Sequence, residues 1–398
     1  MTPRRLAVLG ATGSVGETTL AVARLHPDRL RVAVLAAQGS RPERLVELAR
    51  EFRPKLVVVA DADAAGLLRA ELPTGVALES GEDALLAAVG AGDVDLVVTA
   101  IVGAAGLQPA AAALEAGADL ALANKEAMVA AGPVLRRLAA ASGASILPID
   151  SEHAAIHQAL RAGRPREVRR LVLTASGGPF LERDPATLEA ATPAEATAHP
   201  TWDMGAKISV DSATLMNKGL ELIEASYLFD VDGPRIDILI HPQSLVHSIV
   251  EFRCGNGVAQ ISANDMRYPI QYALSYPERW ARPAGGLSVD LSDLLLQTSK
   301  LEFSRVDPAL FPAPSLARNA LTRGGGATAV MNAANEIAVD AFLGGRAPFT
   351  AIVPVVSEVL ERHARQADVS EPQSIKEALA WDSWGRRQAR EVLAASGG

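Results

Sequence analysis

Cysteine is almost absent from this 398-residue chain: Cys254 stands alone. A single thiol excludes an intramolecular disulfide and any multi-cysteine zinc or iron–sulfur centre, and it suits a reducing compartment. Aromatic residues are also scarce, 4% against 49% hydrophobic in all, so the cores must be built from aliphatic side chains and alanine. Positive charge is in deficit. The net charge of −8 argues against nucleic acid or an anionic membrane surface as the main partner. An anionic substrate must therefore be captured by local donors. Long apolar runs are missing as well, none approaching the ~18 residues that a membrane helix needs. After Met1-Thr2-Pro3-Arg4-Arg5 the run Leu6 to Leu9 stops at Gly10, too short for a signal-peptide core. A soluble, cytoplasmic protein of two or three domains is expected.

What is present begins with alternation. Residues 1–149 interleave the apolar runs Leu6–Leu9, Val32–Ala36, Leu56–Ala60, Leu96–Val98, Leu120–Ala123 and Ile146–Ile149 with amphipathic stretches such as Glu17–Leu25 and Arg44–Phe52. Continuous apolar strands between helices predict an α/β, Rossmann-like, doubly wound parallel sheet covered on both faces. Residues 150–275 read as α+β. Arg235–Ile240 is a predicted strand, and Ser248–Arg253 and Val258–Ser262 flank the hairpin signal Cys254-Gly255-Asn256-Gly257. Residues 276–301, with Pro277, Pro283 and Gly285-Gly286, read as a linker. Residues 302–398 read as a helical bundle, with helix-period apolar residues in Thr328–Leu343, Phe349–Arg365 and Ser374–Leu393.

The first run leads into Gly10-Ala11-Thr12-Gly13-Ser14-Val15-Gly16, a G-x-x-G-x-x-G turn between strand and helix. Its functional reading is a dinucleotide pyrophosphate loop; the bland one is a plain turn. The second strand ends at Gln38-Gly39-Ser40-Arg41 without the acidic residue that holds the ribose 2′-hydroxyl of NAD. Arg41 suits a 2′-phosphate, hence NADPH, or is simply a solvated helix-start arginine. Asn124-Lys125-Glu126 follows the strand Leu120–Ala123, at the sheet edge where such folds bind ligands, or it is a helix cap with a surface charge pair.

Two stretches carry the sharper chemistry. Ile146–Ile149 delivers Asp150-Ser151-Glu152, and in an extended segment Asp150 and Glu152 would face the same way. With Glu221 they form an oxygen-only donor set suited to Mg²⁺ or Mn²⁺. The alternative is a cap on the helix His153–Leu160 and a Lys218–Glu221 ion pair. In Lys207–Glu224, Ser212, Asn217 and Lys218 gather hydroxyl, amide and ammonium donors at an apparent helix start, an anion site. Ser176-Gly177-Gly178-Pro179 is a donor-rich turn, functional or merely structural. Ala196–Ala206 lacks periodicity and carries His199, Trp202 and Met204, so it reads as a mobile lid or as a loop anchored by Trp202.

The motifs GATGSVG, IVGAAGL, LANKE, DSEH, TASGGPF, HPTWDMGAKISVDSATLMNKGLE, HPQSLVHSIVEF, RYPIQYAL and NAANE occur in that order. Through them the chain resembles the 1-deoxy-D-xylulose-5-phosphate reductoisomerases over essentially its whole length. The resemblance implies an NADPH domain, a central catalytic domain that also forms a homodimer interface, and a C-terminal helical domain. It implies a phosphorylated sugar substrate, 1-deoxy-D-xylulose 5-phosphate, rearranged and reduced to 2-C-methyl-D-erythritol 4-phosphate in the non-mevalonate isoprenoid route. Asp150, Glu152 and Glu221 become ligands of Mg²⁺ or Mn²⁺, with Co²⁺ also suitable. Lys125 and Glu152 become the catalytic residues, with Ser151 beside them on the substrate. Ser176, His199, Ser212, Asn217 and Lys218 match residues that hold phosphate and hydroxyls. Thr12, Gly13, Ser14, Val15, Asn124, Glu126 and Gly205 match cofactor contacts. The contacts to the cofactor phosphate fall at Gln38, Gly39 and Ser40, where the family often has a glycine and a basic or amide residue. The rival readings are an NADP-dependent semialdehyde or homoserine-type dehydrogenase and a non-catalytic NADPH-binding sensor. The first, if thiol-acylating, would need an activated cysteine, and Cys254 sits in a predicted hairpin turn. The second would have no use for three convergent carboxylates.

Overall fold

A computed structural model of the protein describes residues 2–199, 202, 204–281, 289–367 and 369–396. Pro200, Thr201 and Asp203 of the expected lid, and Pro283, Gly285 and Gly286 of the expected linker, lie outside the described residues. The chain forms two compact units. The first comprises the residues up to Ala127, then Leu135–Ala154 and Asp265–Val289; the second comprises Met128–Val134, Ala155–Asn264 and the residues from Asp290 onward.

The first unit is built on β1 (Arg4–Leu9), β2 (Leu30–Ala37), β3 (Leu56–Val59), β4 (Ala77–Ser80), β5 (Leu96–Thr99), β6 (Asp119–Leu122) and β7 (Ile146–Pro148). They lie in the order β4-β3-β2-β1-β5-β6-β7, with parallel pairing throughout. The winding direction reverses at β1, which has β2 on one side and β5 on the other. Ligands of such sheets bind outside the strand carboxyl ends at that reversal. The Rossmann-like sheet expected from the alternation is therefore present. β4 was not anticipated, because this edge strand reads Ala77-Leu78-Glu79-Ser80 and is largely solvent-exposed, so it needs no apolar run. The buried residues of the unit's core are alanine, valine, leucine and isoleucine only, as the shortage of aromatics requires. Ile270, Ala273 and Leu274 of the helix Arg267–Ser275 complete that core from far along the chain.

The second unit holds β8 (Val168–Ala175), β9 (Ile236–Ile240), β10 (Val246–Phe252), β11 (Gly257–Ile261) and β12 (Ser304–Arg305). Their order is β11-β10-β8-β9-β12, parallel between β8 and β9 and antiparallel elsewhere. The Cys254–Gly257 hairpin joins β10 to β11 as its turn residues predict. Val210, Leu220, Met331, Phe342 and Val356 belong to a core contributed by the helices Ala206–Ala213, Met216–Phe229, Ala327–Leu343 and Ile352–Ala364. Within the expected linker lies a helix, Leu291–Thr298, begun by the Asp290 carboxylate accepting from the backbone of Ser292 and Asp293. No described helix is long and apolar enough to cross a membrane.

His157, on the helix Ser151–Ala159, packs near the Phe229 ring at a centroid distance of 6.5 Å. Burial first, then the Arg161 charge, pushes its imidazole down to about 4. The unfolded chain takes up this proton near pH 6.5, the folded chain only near 4, so stability is lost as pH falls through that window and is intact above it. His157→Gln removes this dependence. Denaturant titrations at pH 7 and pH 4.5 should show the wild type losing on the order of 2 kcal/mol more than the variant; equal losses would contradict the assignment.

Candidate active site

β1 ends at Leu9 and the chain turns at Gly10, where φ is +85° and a Cβ would stand 2.5 Å from the Ala100 carbonyl oxygen. A Cβ on Gly16 would stand 2.1 Å from the Gly10 oxygen. The tight turn and the close helix approach thus each demand glycine. Gly13 is the N-cap of the helix Ser14–Leu25 and supplies no side-chain cap. Gly13 N donates to the Gly10 oxygen at 2.9 Å and closes the turn, so Ser14 and Val15, at the first positions of the helix, present backbone N–H groups and its positive end at the carboxyl edge of β1 beside Thr12, which favours a pyrophosphate. Gln38, Gly39 and Ser40 follow β2, with Gln38, Ser40 and Arg41 exposed ahead of the helix Pro42–Phe52.

Asn124 caps the helix Lys125–Ser142. Its Oδ1 accepts from Ala127 N at 2.8 Å, while its Nδ2 donates to the Gly103 oxygen at 2.8 Å and to the Ile101 oxygen. One buried amide thereby ties the helix start to the turn after β5. The cap is real, but the neighbouring charges are not on the surface: Lys125 and Glu126 are both buried.

Lys125 Nζ lies 2.6 Å from Asp150 Oδ2, and Nδ1 of the fully buried His153 lies 3.4 Å from Asp150 Oδ1. The Ser151 hydroxyl donates to the Glu152 carboxylate. The extended Asp150-Ser151-Glu152 geometry is corrected here: Ser151 and Glu152 form the first turn of the helix Ser151–Ala159. Asp150 starts that helix, its carbonyl accepting from Ala154 N at 2.8 Å and its carboxylate from Glu152 N at 3.3 Å. Capping the first-turn N–H groups outweighs continuing the strand.

In the second unit β8 runs out at Ala175 into Ser176-Gly177-Gly178. Gly178 has φ +72°, and a Cβ there would stand 2.4 Å from the Ser212 carbonyl oxygen. The turn thus lies directly against the end of the helix Ala206–Ala213, bringing Ser176 and Ser212 into one neighbourhood. His199 Nε2 is 3.0 Å from Ser176 Oγ, and His199 Nδ1 accepts from Trp202 N at 3.0 Å. Because Nδ1 accepts, Nε2 carries the hydrogen and donates to Ser176. Gly178 N donates to the same oxygen at 3.3 Å, so the serine hydrogen is the group left to offer an anion. Burial, then the Lys218 charge, holds the His199 imidazole below its usual value, in keeping with this neutral tautomer.

Leu215 separates two helices in a left-handed conformation, φ 56°, a strained choice for a branched side chain. Beyond it, Asn217, Lys218 and Glu221 occupy the first turns of Met216–Phe229. Lys218 Nζ is 2.6 Å from Glu221 Oε2, and the Asn217 amide donates to Glu221 Oε1. The ion pair expected as the bland alternative exists, but it is buried: Lys218 is 6% and Glu221 1% exposed. Gly205 caps Ala206–Ala213, and the Met204 carbonyl accepts from Ser209 Oγ at 3.5 Å. Trp202 stands edge-on to His247 at 6.4 Å between ring centroids. His153 and His247 were not singled out from the sequence. They sit inside the DSEH and HPQSLVHSIVEF motifs, but spacing alone does not say that one faces Asp150 and the other Trp202.

A doubly wound parallel sheet with a glycine turn leading into an uncapped helix start, and buried lysine–carboxylate pairs in both units, is an arrangement that suits a dinucleotide-dependent enzyme. Family models agree in detail. The model for 1-deoxy-D-xylulose 5-phosphate reductoisomerase matches residues 6–132, that for its C-terminal domain residues 146–229, and a further DXP reductoisomerase C-terminal domain residues 261–388. The chain belongs to the 1-deoxy-D-xylulose 5-phosphate reductoisomerase family. It is 50% identical over 394 residues to the Anaeromyxobacter dehalogenans reductoisomerase, covering 98% of each chain. Against the Symbiobacterium thermophilum enzyme the figure is 48% over 391 residues, 97% of this chain and 98% of that one. Among solved structures, the Zymomonas mobilis reductoisomerase in complex with NADPH has a TM-score of 0.89 at 40% identity, covering 98% of this chain and 99% of that one. A reductoisomerase in complex with NADPH, fosmidomycin and magnesium has a TM-score of 0.90 at 40% identity, with 98% of each chain covered.

Proposed function

We propose that the protein carries out the NADPH-dependent, divalent-metal-dependent rearrangement and reduction of 1-deoxy-D-xylulose 5-phosphate to 2-C-methyl-D-erythritol 4-phosphate, a step of non-mevalonate isoprenoid biosynthesis. Family membership over nearly the full chain carries the reading. Residues 1–149 serve as the NADPH domain, 150–275 as the catalytic and dimerisation domain except for the helix Arg267–Ser275, which packs into the core of the first unit, 276–301 as a linker and 302–398 as the C-terminal helical domain.

The side chains present fit both cofactors. The uncapped helix start after Gly13 suits a pyrophosphate. Asp150, Glu152 and Glu221 offer only carboxylate oxygens, the donors of a hard divalent cation such as Mg²⁺, Mn²⁺ or Co²⁺. When bound, NADPH supplies the hydride and the cation supplies Lewis-acid stabilisation of substrate oxygens. Lys125 neutralises negative charge developing on the substrate, Glu152 moves a proton, and Ser151 holds a substrate hydroxyl. Ser176, Ser212, Asn217 and Lys218 hold the phosphate, with His199 setting the direction of the Ser176 hydroxyl. His199, Trp202 and Met204 belong to a lid that excludes water from the fragments while they rejoin. Asn124, Glu126 and Gly205 complete the cofactor contacts.

Six of the eight exposed large apolar side chains among the described residues, Val289, Leu291, Leu296, Leu301, Phe303 and Leu310, fall in one stretch, which supports a homodimer whose interface extends beyond residues 150–275. An exposed free thiol at Cys254 supports residence in the cytoplasm. NADPH absorbance followed with the sugar phosphate, with and without Mn²⁺, tests the function. Oxidation should require both; oxidation that persists in EDTA would overturn the reading.

Cofactor choice has its own test. Gln38, Gly39, Ser40 and Arg41 carry no acid for a ribose 2′-hydroxyl, and NADPH gains charge-assisted bonds worth ~1.5–3 kcal/mol each. NADPH should therefore be preferred to NADH by at least about tenfold in kcat/KM. Arg41→Ala should narrow that ratio while sparing turnover at saturating NADPH. An unchanged ratio would leave the Gly39 N–H and the Ser40 hydroxyl as the phosphate donors.

A further inference from the structure

The helix Ala206–Ala213 has eight residues and no side-chain cap, so its orientation depends on what it is fastened to. Its apolar side chains Val210 and Ala213 pack into the core of the second unit, but such contacts are non-directional. The directional contact is made by Asp211. This carboxylate is 1% exposed; Lys207 Nζ lies 2.7 Å from its Oδ2, and Asn335 Nδ2 donates to its Oδ1 at 2.8 Å. Asn335 is fully buried on the helix Ala327–Leu343. Asp211 belongs to the ISVDSAT motif and Asn335 to NAANE, and neither has a part in the reaction described above.

The pair is an expensive way to fasten two helices. A buried carboxylate is commonly no more stabilising than an apolar residue of similar volume. Among the described residues the side-chain amide oxygen of Asn335, Oδ1, is also buried without a donor, a further cost. What the pair provides is direction, one residue before Ser212 and beside the contact between the Ser212 carbonyl and the Gly178 turn. We propose that Asp211 and Asn335 are positioning residues for the phosphate anchor, setting the rotation of the helix Ala206–Ala213 so that Ser212 stands against the Ser176 turn. The inference rests on the reading of Ser176, Ser212, Asn217 and Lys218 as phosphate ligands.

The test compares Asn335→Leu, Asp211→Asn, the exchanged pair Asp211→Asn/Asn335→Asp, and Ser212→Ala in the full-length protein. The readouts are the KM for 1-deoxy-D-xylulose 5-phosphate, competitive inhibition by inorganic phosphate, the KM for NADPH and Tm. Misplacing a binding group costs about ten- to a hundredfold. Asn335→Leu should therefore raise the sugar phosphate KM and the phosphate inhibition constant together by about tenfold, with the NADPH KM unchanged. The exchanged pair re-forms a carboxylate–amide bond with the roles reversed and should recover most of the loss. A fall in Tm with both phosphate readouts unchanged, or an equal rise in every constant that the exchanged pair does not rescue, would overturn the proposal. If Ser212→Ala weakens phosphate inhibition and Asn335→Leu does not, this inference alone fails. If neither variant does, the phosphate reading itself fails. Should Asn335→Leu not fold, Asp211→Asn against the exchanged pair decides the question by the same readouts.

Discussion

Asp150→Asn, Glu152→Gln and Glu221→Gln should each lower turnover by about a thousandfold or more while leaving NADPH affinity nearly unchanged. Each amide keeps the shape of the carboxylate and removes an anionic oxygen donor. Loss of Lewis-acid stabilisation amounts to several kcal/mol, and each 1.36 kcal/mol is a factor of ten in rate. The dinucleotide turn at Gly10–Gly16 contains none of the three residues, so cofactor binding should survive. Glu221→Gln has a second consequence. Lys218 is buried with its ammonium 2.6 Å from the Glu221 carboxylate, and the variant leaves that charge without this partner. This variant should therefore also lose thermal stability, which Glu152→Gln, at a partly exposed position, should not. Turnover with added Mn²⁺ and with EDTA, beside NADPH titration by fluorescence, decides the matter. Near-normal activity insensitive to EDTA in any one variant would remove that residue from the ligand set.

The second large effect concerns the phosphate. Lys218→Ala, Asn217→Ala and Ser212→Ala should each reduce kcat/KM by roughly tenfold or more, at ~1.5–3 kcal/mol for a charge-assisted donor. Part of the loss should appear in kcat, because binding energy at the remote phosphate orients the reacting carbons. Lys218→Ala should be the most damaging, since it also deprives the buried Glu221 carboxylate of its ammonium. The discriminating measurement uses 1-deoxy-D-xylulose without its phosphate. Wild type should handle it far less well than the phosphorylated sugar, and the variants should narrow the gap. If wild type turns over both sugars equally, these three residues are not a phosphate anchor.

Some of the side-chain geometry around Glu221 and the first glycine turn could be read before any coordinates, because it is local in sequence. Asn217, Lys218 and Glu221 meet on one side of a helix by periodicity alone, and the structure pairs them as that spacing requires. The glycines of the first turn are likewise explicit, since only glycine fits at Gly10 and Gly16. Asp150-Ser151-Glu152 shows the limit of such reasoning. The apolar run before it suggested extension, yet a residue that is good at ending a strand is also good at starting a helix, and the cap prevailed. Trp202 was open between cover and anchor. Its edge contact with His247 is a neighbour forty-five positions away that no pattern near the tryptophan announces.

The sequence by itself determined the class of the N-terminal sheet, the aliphatic make-up of its core and the types of donor available for a ligand. Each follows from periodicity or side-chain chemistry within a few residues. Only tertiary structure decided that the helix Arg267–Ser275 completes the core begun at β1, and that the Ser176 turn lies against Ser212. The same holds for Asn335, which reaches Asp211 across 124 positions. Such contacts are chosen by which surfaces can close together without voids or unpaired polar groups. That selection is made among all elements at once, and no local stretch of sequence records it.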